Sequence, residues 1–442
     1  MSDPKNYDDI LKWVEKIARQ FGADDVRSVL QEMSDFTLTQ RDDAVEKIEE
    51  AIQSSLRVEI FKDHRYSYHS TNDLHPERLE KFLDKAVAMT TYLGEDKDRM
   101  LPPRDLYPSD ISKINLDLVD ATIETLSLEE KKNMTNRMVN RAYAKNKALI
   151  SVTSNFYNGE STLFMRASNG FFGKEKRTYV SMSVEVSLEE PDGRKPEAWE
   201  SISACHYQDL WEPEKVAENA VMRVEQKRGA EKISSGKKTM VVENIAVPRL
   251  LYPILVAMTG RYLAQKQSFL DGQLHQKVGS NLLTVINDPF IPRALGSRHF
   301  DEEGIKAQKR TFFEEGILKN YLIDTYYGNK LGMNPTSGSF SNLILNPGTK
   351  SPEDLIKSIE DGIYVTQFIG GNFNSNTGDF SYGIMGHEIK QGTLVRPVTE
   401  MNISGNYSTL MESLIAVGND PYLFSSFRMP TLVFQEVDFS GI

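Results

Sequence analysis

One cysteine, Cys205, stands in 442 residues. An intrachain disulfide is excluded, and a chain of this size without one fits a reducing compartment. Long apolar runs are missing as well. The best, within Leu250–Met258, is about two turns long and contains Pro253, well short of the roughly 20 residues that span a bilayer. The opening segment MSDPKNYDDILKWVEK lacks the basic-then-apolar layout of a secretion signal. The expectation is a cytoplasmic protein with no membrane partner. Basic excess is absent too. Against 52 Lys and Arg stand 63 Asp and Glu, a net charge of −11, and the bases are interspersed with acids, as in LEEKKNMTNR. No nucleic-acid partner is expected from such a surface. The seven histidines make no metal-ligand spacing. His387-Glu388 is the single His-Glu pair, but Ile389, Lys390, Gln391 and Gly392 follow, so it reads as an ordinary strand or turn pair. There is no G-x-S-x-G and no P-loop, and Gly370-Gly371 makes no dinucleotide fingerprint.

What is present describes a folded globular chain. Hydrophobic residues make up 39% and charged residues 26%, which places it with ordered proteins of two or three domains. Helical spacing marks Tyr7–Phe21 and Pro76–Thr91, with strands at Val26–Gln31, Asp35–Gln40 and Leu56–Lys62 between them. A proline-bearing connector, Gly94–Ser112, follows as a candidate boundary. The next helix, Ser127–Lys145, carries a capping-box pattern at Ser127 and Glu130. Asn158-Gly159, Asn169-Gly170 and Asp192-Gly193 then punctuate strand-like segments, predicting an antiparallel meander of short strands. Pro213–Lys227 reads as a helix. After a polar linker come a strand at Thr239–Val242 and an apolar-faced helix around Pro248–Gln265, with a kink or a later start expected at Pro253. Further helices are expected at Pro352–Asp361 and Ser408–Val417, the second capped by a left-handed Gly418. The fold class is α+β. Three parts are expected: an N-terminal α+β domain over 1–110, a middle helix with antiparallel strands over 111–232, and a β-rich C-terminal domain over 233–442.

The stretch that stands out is Gly370–Gly383, GGNFNSNTGDFSYG, after a strand expected to be buried at Ile363–Ile369. Four glycines, three asparagines, Thr377, Asp379 and Ser381 fill its fourteen positions, a density that cannot build a core. It is either a plain surface turn or a backbone-rich loop held against a cleft. The cluster Asp301-Glu302-Glu303, between Phe300 and Gly304, could receive a cation or an amine. Its commoner meaning is a solvated acidic turn.

An ordered series of short motifs resembles the TldD/PmbA family over roughly Lys237–Ile442. It comprises Ser268-Phe269-Leu270, Asn287-Asp288-Pro289, Phe300-Asp301-Glu302-Glu303-Gly304 and Glu315-Gly316-Ile317-Leu318, then Thr377-Gly378-Asp379-Phe380-Ser381, Gly383 and Gly386. It continues in Pro397-Val398-Thr399-Glu400, Ile403-Ser404-Gly405-Asn406 and Gly418-Asn419-Asp420. The resemblance implies a choice between zinc metalloproteases of the TldD type and the PmbA/TldE type, which lacks the metal motif. In the first, the helix after the Thr239–Val242-like strand carries His-Glu-x-x-x-His, and a cysteine near the C-terminus adds a ligand. Here that helix reads AVPRLLYPILVAMTGRYLAQ and Pro421–Ile442 holds no cysteine. The chain is therefore similar to the PmbA/TldE type. The implied function is a subunit with no zinc of its own that lines the peptide cleft of a TldD/TldE-type protease, zinc being expected only in a TldD-like partner. The alternative is a homodimeric peptide-binding or scaffold protein with no proteolytic role. Peptide-cleft residues are expected at Gly371, Asn372, Asn374, Thr377, Gly378, Asp379, Phe380, Ser381 and Gly383, with no catalytic or metal residue. Gly378 and Gly383 are expected to tolerate no side chain. Pairs of chains are expected, with the alternating apolar positions of Pro421–Phe439 edging a shared sheet.

Overall fold

The computed structural model describes residues 7–110 and 113–442. The first six residues of the opening segment and positions 111 and 112, at the end of the expected connector, lie outside the described residues.

The first half of the chain builds a single six-stranded antiparallel sheet. It opens with helix α1 (Tyr7–Gln20) and strands β1 (Asp25–Arg41), β2 (Ala44–Lys62) and β3 (Arg65–Thr71), followed by helix α2 (Pro76–Thr90). Beyond the connector come α3 (Leu128–Lys145), β4 (Leu149–Ala167), β5 (Phe171–Leu188), β6 (Glu197–Ala204) and α4 (Pro213–Glu225). The strand order is β3-β2-β1-β4-β5-β6. The expected boundary near residue 110 thus runs beside a continuous sheet, because β1 pairs β4 without a break from Arg27 opposite Ala167 to Arg41 opposite Thr153. Helices α1 and α2 cover Leu30, Leu56, Val58 and Ile60, and α3 and α4 cover Leu38, Val152, Phe156, Met182 and Ile202. Ser127 and Glu130 close the capping box of α3 as the sequence predicts.

Two expectations fail here for one reason. Asn158-Gly159 is not a hairpin turn, and Val26–Gln31 and Asp35–Gln40 are not separate strands; each lies within one long strand. Gly159 faces Asp35 on β1 and Tyr179 on β5, where a Cβ would come within 2.5 Å of the Tyr179 hydroxyl. The glycine permits a ring to cross the strand rather than a chain reversal. The turns at Asn169-Gly170 and Asp192-Gly193 do form, with left-handed glycines at φ 109° and 85°.

The second half carries β7 (Gly236–Val242), α5 (Val247–Ala257), α6 (Gly260–Ala264), β8 (Val285–Asp288), β9 (Arg310–Glu314), β10 (Ile317–Leu318) and α7 (Thr325–Leu331). Then follow β11 (Asn342–Leu345), α8 (Pro352–Lys357), β12 (Asp361–Phe373), β13 (Asp379–Lys390) and β14 (Thr393–Asn406). The chain ends with α9 (Tyr407–Glu412), β15 (Leu414–Val417), β16 (Phe427–Arg428) and β17 (Leu432–Ser440). Strands β14-β13-β12-β7-β17 run side by side, and β14 also pairs β17 at Ile403 and Phe439, closing a small barrel. A second sheet has the order β10-β9-β8-β11-β16. The architecture is α+β with a β-rich C-terminal region.

Several boundaries differ from the sequence pattern, each through a tertiary contact. The helix expected around Pro248–Gln265 passes through Pro253 and breaks instead at Thr259, where Gly260 N–H donates to the Leu322 carbonyl at 2.8 Å. Ser408–Val417 is helical only to Glu412; Leu414–Val417 pairs β17 instead, and Gly418 N–H donates to the Thr431 carbonyl with no left-handed turn. Pro421–Phe439 does not form a free edge, since β17 lies between β7 and β15 and also pairs β14.

A buried charge cluster joins the first sheet to the C-terminal region. Arg27 on β1 makes a two-pronged pair with Glu59 on β2, at 2.6 and 3.2 Å, and reaches Glu303 at 3.5 Å. Beside it, Arg99 lies between the rings of Tyr66 and Tyr326.

Candidate functional site

The Gly370–Gly383 stretch is the tip of a hairpin, β12 turning into β13, rather than a loop. The turn is closed by Asn374 N–H to the Asp379 carbonyl and by Gly378 N–H to the Asn374 carbonyl. Thr377 Oγ1 donates to Asp379 Oδ2 at 2.6 Å, and Asn406 Nδ2 donates both to the Thr377 carbonyl and to Asp379 Oδ1. These bonds, led by those from Thr377 and Asn406, hold the Asp379 carboxyl below its usual range. The polar side chains expected to line a cleft thus brace the turn itself. Phe380 points into the core against Tyr382 and Tyr407. Gly371, Asn372, Ser381 and Gly383 do lie together, on an open face of the sheet beside Lys232, Glu400 and Asn402. Gly378, at φ 82°, requires glycine, whereas Gly383 has an ordinary φ and is limited by the Ile369 carbonyl, 2.8 Å from where a Cβ would stand.

A deeper hollow, open to solvent on one side, lies next to this hairpin. A cavity of about 470 Å³ runs between β6, the end of α4, the start of α5 and strands β12 and β13. Trp199, Phe368, Tyr422 and Phe424 give it apolar walls, and Trp199 is 62% exposed. β6 is the last strand of its sheet, so one of its edges faces this cleft. Successive residues of an antiparallel strand turn both backbone groups alternately towards and away from the neighbour. The Glu197 carbonyl is taken by Lys227 Nζ at 2.7 Å and the Ser201 carbonyl by the Tyr422 hydroxyl at 2.9 Å. The β5–β6 register is unbroken, so Trp199 and Ser203 also turn their backbone groups into the cleft.

The floor is an ion-pair network. Arg223 bonds Glu200 at 2.9 Å and makes two bonds of 3.0 Å to Glu243. Burial nevertheless pushes the Glu243 carboxyl up, against the pull of Arg223. Burial likewise lowers Lys227 and His387. His387 Nε2 donates to the Gln226 carbonyl, and Glu388 is buried against Arg396, so the single His-Glu pair is structural. Arg249, on the first turn of α5, donates to the Gly370 carbonyl at 3.1 Å and links the cleft to the hairpin. Apart from His387, none of these cleft residues stands out in the sequence, because the signal is a spatial one: cations and aromatics brought together from distant segments.

The turn Asp301-Glu302-Glu303 is solvated only at Glu302, whose side chain is exposed; Asp301 and Glu303 turn inward. Asp301 is 4% exposed, and its Oδ1 accepts from the N–H groups of Glu303 and Ile305, while Oδ2 is buried without a partner. Glu303 accepts from Thr325 N–H and its hydroxyl, and Glu302 pairs Arg298. Burial, followed by the charge of Glu302, raises the Asp301 carboxyl above its ordinary 3.8. A raised carboxyl contributes stability below its unfolded pKa and loses it as pH rises through the folded one. Asp301→Asn keeps the Oδ1 acceptor and removes that titration. Its stability relative to the parent should therefore improve as pH rises from about 4 towards neutrality. Denaturation midpoints across that range check the sign; a difference that is flat or declines would contradict it.

Cys205 is buried just after β6 beside Leu116 and Leu118, and burial raises its thiol. Among the described residues no three His, Cys, Asp or Glu side chains gather where a metal ion could be held. The first turns of α5, where the TldD-type metal motif is expected, offer Arg249 and Tyr252 on the exposed side and no imidazole or carboxylate. These residues do not fit zinc. No helix of the described residues is long and apolar enough to cross a membrane.

Comparison with known proteins fits this layout. The PmbA/TldA metallopeptidase models match in order: domain 1 at residues 29–90, the central domain at 121–228 and the C-terminal domain at 235–441. The chain belongs to the PmbA/TldD family. The crystal structure of a Bacteroides thetaiotaomicron protein named as a candidate modulator of DNA gyrase is 38% identical over all of both chains, with a TM-score of 0.96. TldE from Thermococcus kodakarensis has the same fold, with a TM-score of 0.84 at 19% identity over 98% of this chain and all of TldE. The metalloprotease PmbA of Escherichia coli O157:H7 is 24% identical over 90% of this chain and 88% of its own length. The family model thus treats 29–90 and 121–228 as separate units, although β1 and β4 join them in one sheet.

Proposed function

We propose that this chain is the PmbA/TldE-type subunit of a TldD/TldE-type zinc metalloprotease, lining the cleft that holds the peptide while a TldD-like partner supplies the zinc. The observation that supports it most is the cleft between β6 and α5. An unpaired strand edge faces a cavity of peptide-binding size, and the adjoining helix carries no metal donor. Strand addition along that edge would bind an extended peptide through its backbone, which suits substrates of varied sequence. The peptide contact moves from the tip of the Gly370–Gly383 hairpin to the cleft beside it, with the hairpin anchored to the wall by Arg249. The cytoplasm remains the compartment proposed for it.

The isolated chain should retain no stoichiometric zinc after dialysis and show no chelator-sensitive peptidase activity. Mixed with a TldD-like zinc protein, it should form a stable assembly by light scattering and raise peptide degradation. Near one equivalent of zinc with activity in the chain alone would overturn this reading. Self-association with no effect on a TldD-like partner would favour the scaffold alternative.

A further inference from the structure

We propose that the cleft is a receptor for a peptide carboxylate, held between Lys227 and Arg249 at the end of the cavity where β6 begins. This rests on the reading that the cleft takes an extended peptide, and it adds what the end of that peptide must carry.

The argument starts from charge. The whole chain is acidic, at −11, yet among the described residues Glu200 is the one acid lining this cavity. Arg223 already neutralises Glu200 and is shared with Glu243 behind it. Lys227 and Arg249 also line the cavity, and neither forms an ion pair among the described residues. Lys227 Nζ rests on two neutral acceptors, the Glu197 carbonyl at 2.7 Å and Gln367 Oε1 at 3.3 Å. Arg249 rests on the Gly370 carbonyl and lies 5.5 Å from the centre of the Tyr382 ring. Both cations therefore meet the same short segment of β12, Gln367 to Gly370. Lys227 is half-buried and Arg249 exposed; cations held by carbonyls alone are poised to gain from an anion, because a charge-assisted bond exceeds a neutral one, the more so where water is partly excluded.

The strand geometry gives the direction. Lys227 is fixed at the Glu197 carbonyl, the first residue of β6. A peptide whose C-terminal carboxylate reaches Lys227 must run antiparallel to β6, passing Ser201 and Ser203 upstream. Trp199 and Ser203 present backbone groups to it, while the Ser201 carbonyl is occupied by Tyr422. The aromatic walls, Trp199, Phe368 and Phe424, would take side chains without demanding a sequence.

The test uses the full-length chain and one short, otherwise uncharged peptide of Ser, Thr, Ala and Val in three forms. These are the free C-terminal acid, the C-terminal amide, and the amide with one internal Glu near its end. Binding is read by Trp fluorescence and calorimetry at low salt. The free acid should bind on the order of 10- to 100-fold tighter than the amide, and that ratio should shrink as salt rises. In Lys227→Met/Arg249→Met, checked for folding by circular dichroism, the ratio should fall to about one. Recovery of tight binding by the internal Glu form would assign the receptor to carboxylates in general, and its absence to the peptide terminus. Acid and amide binding equally well would overturn the receptor while leaving the peptide cleft in place. Failure of every form to bind would remove the cleft reading as well.

Discussion

Arg27→Met is expected to destabilise the protein by about 3–5 kcal/mol, the typical cost of breaking a buried ion pair by removing one partner. Arg27 and Glu59 are 8% and 4% exposed, so neither charge is compensated by water. Without the guanidinium, Glu59 and Glu303 would face one another inside the seam between the first sheet and the C-terminal region. Tyr66 could still donate to Glu59 and Thr325 to Glu303, but these bonds orient the carboxylates without cancelling their charge; Arg57, 3.8 Å from Glu59, would offset part of that acid's charge, while Glu303 would keep no ion-pair partner among the described residues. Burial already pushes the Glu303 carboxyl up with Arg27 in place. In the variant Glu303, raised already and stripped of its cation, would have to take up a proton to stay folded. The loss should therefore be smallest near pH 4 and grow as pH rises towards neutrality. Adding Glu303→Gln should recover part of it, since the two positions are in contact. Denaturant unfolding followed at two pH values reads both effects. A loss below about 1 kcal/mol, equal at both pH values, would show that the seam is wet and the cluster ornamental.

The second large effect is on function. Trp199→Pro and Ser203→Pro each remove an N–H that faces the cleft, at positions where proline takes nothing from the pairing with β5. The sheet should remain, while each substitution deletes one main-chain bond to the peptide and places a ring in its path. A loss of about 10-fold per site, and on the order of 100-fold for both, is expected in peptide degradation by the assembly with a TldD-like partner. Ile202→Pro is the control: its N–H points to β5, and it should damage the fold instead. Unchanged degradation with Trp199→Pro and Ser203→Pro would place the peptide elsewhere.

Local signals in the sequence were dependable where local physics decides the outcome. The capping box at Ser127 and Glu130, the amphipathic α1 and α2, and the turns at Gly170 and Gly193 are all set within a few residues. They failed where a distant segment intervenes. Gly159 reads as a turn until Tyr179 is seen crossing it, and Leu414–Val417 reads as helix until β17 lies beside it. The candidate site shows the same division. Gly370–Gly383 was conspicuous in composition and does form an ordered hairpin, but Thr377 and Asp379 stabilise its turn and Phe380 fills the core. The cleft residues Trp199, Lys227, Arg249 and Tyr422 are unremarkable in their own segments. Their meaning comes from the free edge of β6, and an edge is a property of the sheet order, which no single strand encodes. That the segment Val247–Gln265 holds no histidine or acid, by contrast, is a matter of composition and is read from the sequence directly.

The central claim is that the peptide adds to the free edge of β6. Hydrogen exchange at the backbone amides of residues 197–204 measures this most directly, with the TldD-like partner present and an uncleaved peptide added at saturation. Trp199 and Ser203 amides should slow markedly on adding peptide, while Ile202 and Ala204, already bonded to β5, should change little. Protection confined to the Asn374–Asp379 turn, with Trp199 and Ser203 exchanging as before, would contradict it and return the peptide to the tip of the hairpin.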